Sequence, residues 1–268
     1  MTDAPAPPPE PRAVPAGRDG LVRLLAVNGF VAAYEEADEL LAAAGGDHAR
    51  LTAMVERRLT GEPLAWITGT APFCGLWIRV DRGVYVPRWQ SEPLAERAVE
   101  RLPADGVAVD VCCGSGAIAR VLAERRPAAR VLACDVDERA VACARANGVD
   151  AHAGDLLDPV PKELHGRVDV VVGVVPYVPT PELPFLQRDT FTFESPLAYD
   201  GGPDGLGLAR RVVADAAPLL RPGGALLLEV GGDQAQPLRA ALAASGYTDI
   251  AERRDEDGDL RGIEAARA

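Results

Sequence analysis

Val107-Ala108-Val109-Asp110-Val111-Cys112-Cys113-Gly114-Ser115-Gly116-Ala117 decides the fold. A short apolar run ends in a carboxylate, two glycines follow one residue apart, and helix-forming residues come next. Short apolar runs recur at 107–111, 130–134, 168–172 and 224–230, with helical patterns between them at 117–126, 137–147 and 205–220. Strands alternating with helices in this way predict a mostly parallel, doubly wound α/β sheet covered on both faces. In such sheets ligands bind beyond the carboxyl ends of the strands, near the point where strand order reverses. The loop at 112–116 therefore marks a nucleotide-type site. Gly114 and Gly116 allow a sharp turn and a close approach of backbone to ligand. The following helix presents unpaired N–H groups at its start.

The same stretch narrows the ligand. A nicotinamide site usually reads G-x-G-x-x-G, and here no matching third glycine follows. Asp110 would repel a pyrophosphate and suits a cation instead. S-adenosylmethionine (SAM) carries an ammonium and a sulfonium. Asp135, in Ala-Cys-Asp-Val-Asp, stands where a carboxylate takes two ribose hydroxyls, with Val136 beside it. Asp155, in Gly154-Asp155-Leu156, is placed for an adenine amino group. One such aspartate would read as a turn former. Three at successive strand ends, with the glycine loop, point to SAM as donor and S-adenosylhomocysteine as product. Cys112 and Cys113 border this loop and read as small packing residues.

Outward from this core the chain changes character. Residues 1–17 are rich in Pro and Ala and read as a disordered tail. Residues 18–60 read as a helical lobe of two helices split at Gly45-Gly46, with Arg57 and Arg58 facing outward. Residues 61–90 hold Trp66, Phe73, Trp77, Tyr85 and Trp89, and alternate through Leu76-Trp77-Ile78-Arg79-Val80. They predict a β-hairpin linker. Packing is one reading of these aromatics; the other is that Trp89 borders a substrate cleft. Residues 91–268 form the catalytic domain, closing on two strand-like runs near 247–252 and 262–266 that suit an antiparallel edge hairpin. The Pro- and Phe-rich stretch 178–203, with Phe185, Phe191 and Phe193, follows the fourth core strand and is placed to cover a substrate.

Composition excludes several classes of function. The 268 residues carry a net charge of −12, which counts against a nucleic-acid partner. Five cysteines, an odd number with two adjacent, suit reduced thiols in a cytoplasmic protein better than a disulfide framework. Their spacing is not that of a zinc site, so no metal is expected. No apolar run is long enough for a membrane span. His48, His152 and His165 form no cluster, which argues against a hydrolase triad.

Several segments together resemble the protein-(glutamine-N5) methyltransferases that modify peptide-chain release factors, a class I SAM-dependent family. Gly61-Glu62-Pro63-Leu64-Ala65-Trp66-Ile67-Thr68-Gly69 is similar to the family's linker signature, and Phe73-Cys74-Gly75-Leu76 and Val86-Pro87-Arg88 continue it. Asp110 to Ala119 is similar to its SAM loop. Glu194-Ser195-Pro196-Leu197-Ala198-Tyr199-Asp200-Gly201-Gly202 and Glu229-Val230-Gly231 with Gln234 resemble two further segments. The resemblance implies a seven-strand class I sheet, with Arg88, Trp89, Glu194 and Pro196 near the acceptor; Glu92 lines the cleft by the same analogy. It also implies an acceptor site at Val174-Val175-Pro176-Tyr177, where the family reads Asn-X-Pro-Tyr.

Val174 in place of that asparagine is the departure that matters. An amide nitrogen is a poor nucleophile because its lone pair is delocalised. By resemblance, the asparagine oxygen and a backbone carbonyl accept the two amide N–H groups and aim the nitrogen. Valine accepts nothing. Losing one placed partner of a transition state costs about 3 kcal/mol. Three outcomes stand open: slow methylation of a release-factor-like glutamine, a new acceptor such as a small molecule that needs no amide clamp, or SAM binding without turnover. The short helical lobe also weakens the case for docking a release factor.

Overall fold

The computed structural model describes residues 14–15, 17–186, 192–255 and 257–268. Most of the expected tail at 1–17, and Phe191, lie outside the described residues. The chain divides into two compact units, Met1–Thr68 and Gly69–Ala268.

The first unit is helical: α1 (Arg18–Val27), α2 (Ala33–Ala44), α3 (His48–Leu59) and the short α4 (Leu64–Thr68). Leu21, Leu25, Ala37, Leu40 and Val55 are wholly buried and form its core. Gly45 leaves α2 in the left-handed conformation. Asp47 caps α3, its carboxylate accepting from the N–H groups of Ala49 and Arg50. Two expectations need correction. The lobe has a helix boundary at Asn28-Gly29, where Gly29 has a positive φ, so α1 and α2 are separate helices. Arg58 does not face outward: it is buried, pairs with Glu36 at 2.6 Å and lies over the Phe30 ring. Glu36 lies on another helix, so the periodicity of α3 alone cannot disclose the partner that permits an arginine there.

The second unit opens with a hairpin, β1 (Thr70–Phe73) against β2 (Leu76–Arg79), in register Phe73↔Leu76. Its two-residue turn is Cys74-Gly75, and both have positive φ, as a type I′ turn requires. Ile78 and Phe73 point inward while Trp77 is exposed. The helix α5 (Glu92–Arg101) follows, which the sequence reading did not single out.

The main sheet has seven strands in the order β5-β4-β3-β6-β7-β9-β8. These are β3 (Val107–Val111), β4 (Arg130–Asp135), β5 (Asp150–Ala153), β6 (Val168–Gly173), β7 (Leu220–Glu229), β8 (Tyr247–Arg254) and β9 (Leu260–Arg267). The first five are parallel, and β9 joins β7 and β8 antiparallel. The helices are α6 (Ala117–Arg125), α7 (Glu138–Ala146), α8 (Gly207–Ala216) and α9 (Ala235–Ala244). Alternate strand residues serve opposite faces. Val109, Val111, Val171, Leu226 and Leu228 pack with α8 and α9. Ala108, Val170, Val172 and Leu227 pack with α5 and α6. Because β4 and β5 lie on one side of β3 and β6 on the other, the sheet reverses direction between β3 and β6, and a crevice opens beyond their carboxyl ends.

Candidate active site

A cavity of about 500 Å³ occupies that crevice. Its wall brings together Asp110, Cys112, Cys113 and Gly114 after β3, Asp135 and Val136 after β4, and Asp155 and Leu156 after β5. Arg88, Val174 and Pro176 line the same cavity.

The loop after β3 is built by close contacts. Gly116 has φ +76°, and a Cβ there would stand 2.9 Å from the Ala144 Cβ, so only glycine lets α6 start this near α7. Gly116 itself does not reach the cavity wall among the residues that line it. Cys112 and Leu156 also hold positive φ, at +57° and +47°, which non-glycine residues adopt mostly where the surroundings enforce it. Asn147 fixes the loop from outside, its amide donating to the carbonyls of Ser115 and Arg79 at 2.9 Å each.

The carboxylates differ in surroundings. Asp110 is 1% exposed. It accepts the Ala119 N–H at 3.0 Å. Burial, with help from nearby Asp135 and despite that hydrogen bond, raises its pKa to about 7. Among the described residues no cationic side chain pairs with Asp110, and a buried carboxyl of this kind is the arrangement a cationic ligand would complete. Asp135 accepts from Gly114 N–H at 2.8 Å and from Asp137 N–H at 2.9 Å, and burial lifts its pKa too. Asp155 is half exposed and pairs with Arg211 of α8 at 2.6 Å. Burial pushes the Cys112 and Cys113 thiols well above their ordinary range, so both are protonated wall groups. The donor set, three carboxylates and an N-terminal helix turn around a mostly apolar space, fits SAM.

At the other end, Val174 is half-buried, packs against the core below α5 and α6, and faces the cavity. Val175 turns into the opposite core and is 1% exposed. Tyr177 borders a second, smaller cavity, where its hydroxyl donates to Glu229 at 3.1 Å. Its carbonyl accepts from Gln234 at 2.6 Å. Gly205, just before α8, packs against that same carbonyl and would admit no Cβ, while the Gln234 bond ties the loop after β6 to the start of α9.

The remaining sequence candidates have other surroundings. Glu194 is buried and fully engaged, accepting from Val86 N–H, Arg88 and the Tyr199 hydroxyl. Trp89 is 68% exposed and stands outside both cavities. Pro196 is exposed, while its neighbours Ser195, Leu197 and Ala198 line the larger cavity. Glu92 accepts the Cys74 N–H and does not line the cleft. The sequence reading gave no site role to Tyr85, named there only among the aromatics of 61–90, and did not name Ser91. Both line the cavity, and Ser91 donates to Glu229 at 2.6 Å. Only the aromatic density of 61–90 hinted at Tyr85, and no local signal marks Ser91.

Comparison with known proteins adds the family. Residues 108–190 match the family model described as a methyltransferase domain. A release factor glutamine methyltransferase of Moorella thermoacetica is 40% identical over 220 residues, covering 78% of this chain and 75% of that protein. The 4-amino-L-phenylalanine/4-methylamino-L-phenylalanine methyltransferase of Streptomyces pristinaespiralis is 37% identical over 254 residues, covering 90% of this chain and 86% of its own. Among solved structures, a methyltransferase from Pyrococcus furiosus shares the fold at 19% identity with a TM-score of 0.51, over 81% of this chain and 99% of that one. The chain belongs to the release factor glutamine methyltransferase family, and is accordingly a SAM-dependent methyltransferase of the class I fold.

Proposed function

We propose that this enzyme moves the SAM methyl group to a nitrogen of a small-molecule amine, in a site diverged from one built for a glutamine carboxamide. Val174 carries this reading. It lines the cavity at the position where the family holds an amide through an asparagine, and it offers an apolar wall instead. An amine needs no such clamp, because its lone pair is already localised. The Streptomyces relative, which acts on an arylamine by its name and matches more of this chain than the Moorella protein does, supports the same reading.

The residue roles follow from position. Asp110 would face the ammonium of the methionine part, and Gly114 and Gly116 would let the backbone approach it. Cys112 and Cys113 would form the loop's packed floor. Asp135 would take the ribose hydroxyls and Asp155 the adenine amino group, with Val136 and Leu156 against the adenine faces. SAM bound there would supply an electrophilic methyl group for the acceptor nitrogen's lone pair, with S-adenosylhomocysteine as the other product and the surplus amine proton lost to solvent. Val174 and Pro176 would wall the acceptor nitrogen, Val175 and Tyr177 would hold that wall in place, and Arg88 would close the cavity. What these groups contribute is orientation and exclusion of water. Glu194, with Pro196 and Trp89 nearby in sequence to its partners, would keep the acceptor-side segments in place.

A second reading keeps the glutamine acceptor. It is favoured by the several relatives named release factor glutamine methyltransferase, such as that of Geobacter sulfurreducens, and by the retained Pro176-Tyr177 pair. Purified enzyme given methyl-labelled SAM with release factors or with small amines, 4-amino-L-phenylalanine among them, separates the two. Label in the small amine supports the first reading. Label in the release factor overturns it. If Val174→Asn is needed before the release factor takes label, the acceptor has diverged as proposed. No described helix is long and apolar enough to cross a membrane, and five free thiols fit our further proposal of a cytoplasmic enzyme.

A further inference from the structure

We infer that the smaller cavity is a subsite for the charged head of a free α-amino acid, whose side chain then reaches the larger cavity. This rests on the small-molecule reading above and names its substrate class.

The cavity measures about 230 Å³. It shares Tyr85 and Arg88 with the larger one, so a single elongated ligand can touch both. Its remaining chemistry comes from Gln90, Tyr177, Glu229 and Arg261. Glu229 is 7% exposed. Its oxygens accept from Ser91 and Tyr177, two neutral donors, at 2.6 and 3.1 Å. Among the described residues it has no ion-pair partner, and burial raises its pKa. The side-chain oxygen of Gln90 is buried without a hydrogen-bond partner among the described residues. Unsatisfied acceptors of this kind are rare in folded proteins and each is expensive. The unpartnered Gln90 oxygen and a Glu229 carboxyl that has no ion-pair partner among the described residues suit a compact cationic donor.

Arg261 stands near enough to affect Glu229 electrostatically yet outside ion-pair range. Its own partners, Asp255 at 2.7 Å and Asp259 at 3.5 Å, sit in the turn before β9. A guanidinium has five N–H donors, so two carboxylates need not exhaust it. The cavity therefore carries the Glu229 carboxyl group and an orphan acceptor on one wall and the Arg261 guanidinium on another, with Arg88 already paired to Glu194. An α-ammonium and an α-carboxylate match those walls. A neutral carboxamide would fill the space but offer the buried Glu229 carboxyl no cation to pair with.

The test is calorimetric binding to the enzyme saturated with S-adenosylhomocysteine. Three probes share one ring: 4-amino-L-phenylalanine, 4-aminophenethylamine, which lacks the carboxylate, and 3-(4-aminophenyl)propanoate, which lacks the ammonium. The amino acid is expected to bind at least tenfold more tightly than either. Arg261→Gln should erase its advantage over the phenethylamine, and Glu229→Gln its advantage over the propanoate. Retained S-adenosylhomocysteine affinity in each variant confirms that it is folded. Equal binding of the three probes, or no binding of the amino acid, overturns the subsite. If the amino acid binds as stated but takes no methyl group, the subsite stands and the transfer reading falls.

Discussion

Arg88 reaches Glu194 at 2.6 Å and so joins the segment behind the hairpin to the loop after β6, 106 positions later. Glu194 is 3% exposed, and its other partners are Val86 and Tyr199. Removing the guanidinium leaves a buried carboxylate without its cation. Arg88→Leu should cost about 3 kcal/mol, near the low end for a broken buried pair because the arginine is partly exposed. In a chain of this size that lowers Tm by roughly 10 °C, readable by calorimetry. Glu194→Leu with Arg88→Leu should recover part of that loss, and an unchanged double mutant would remove the pair from the account.

Asp110 makes SAM affinity depend on pH. Its pKa in the free protein is raised to about 7 by burial, from an ordinary carboxyl value near 3.8. The raised value means that the folded protein holds a proton the unfolded chain has lost between those two limits. Stability of the free enzyme therefore declines as pH rises from about 4 to about 7. A cationic ligand favours the ionised form. Affinity should then weaken as pH falls below 7, by up to about tenfold per unit. Asp110→Asn should flatten this profile and weaken binding by about 2 kcal/mol, the scale of a charged hydrogen bond. Calorimetric titrations between pH 5.5 and 8.5 check both.

The two loop glycines should fail differently. Gly116→Ala meets both a φ of +76° and a collision with Ala144, and should cost at least about 2 kcal/mol of stability. Gly114→Ala has a φ of +55° but its nearest neighbour is the Tyr85 Cβ at 3.9 Å. It should cost about 1 kcal/mol and reduce SAM affinity more than Tm, because the added methyl stands in a residue that lines the cavity. Thermal melts with and without SAM distinguish the two variants.

The thiols should be inert in the native state. Burial raises the pKa of Cys74 and Cys134 to about 12, and it pushes the Cys112 and Cys113 thiols well above their ordinary range too. Thiolate is the reactive form, so alkylation at pH 8 should run at least a hundredfold slower than in denaturant. Mass spectrometry of iodoacetamide-treated enzyme measures this. Rapid labelling at Cys112 would assign that thiol a role beyond packing.

Most of the sheet was legible because β3, β4, β6 and β7 contain short apolar runs, and the reading of 107–111 matches β3; the strand β5, Asp150–Ala153, has no such run and was not among the strands expected. α5 was less so, since Glu92-Pro93 and its charged positions sit between an aromatic hairpin and the core pattern. The break at Asn28-Gly29 was missed because one glycine beside an asparagine is a weaker stop than the Gly45-Gly46 pair. At the site, Asp110, Asp135 and Asp155 were readable because each lies at or just beyond the carboxyl end of its strand. Ser91, Glu229 and Arg261 meet only through the tertiary fold, and Arg58 pairs with a residue 22 positions away. Local patterns carry no information about such partners.

The placement of β9 between β7 and β8 also constrains the route by which the fold is reached. β8 is made earlier in sequence than β9, yet it touches β7 nowhere in the sheet order. Had β8 settled on the open edge of β7 first, it would occupy the seat that belongs to β9. The productive orders are those in which β9 reaches β7 first or the hairpin of β8 and β9 forms before it docks; any other leaves a wrongly seated strand to detach. A local step that precedes a distant pairing is the less entropically demanding order, so hairpin formation first keeps β8 off the edge of β7, on the side of the sheet remote from Asp135 and Asp155.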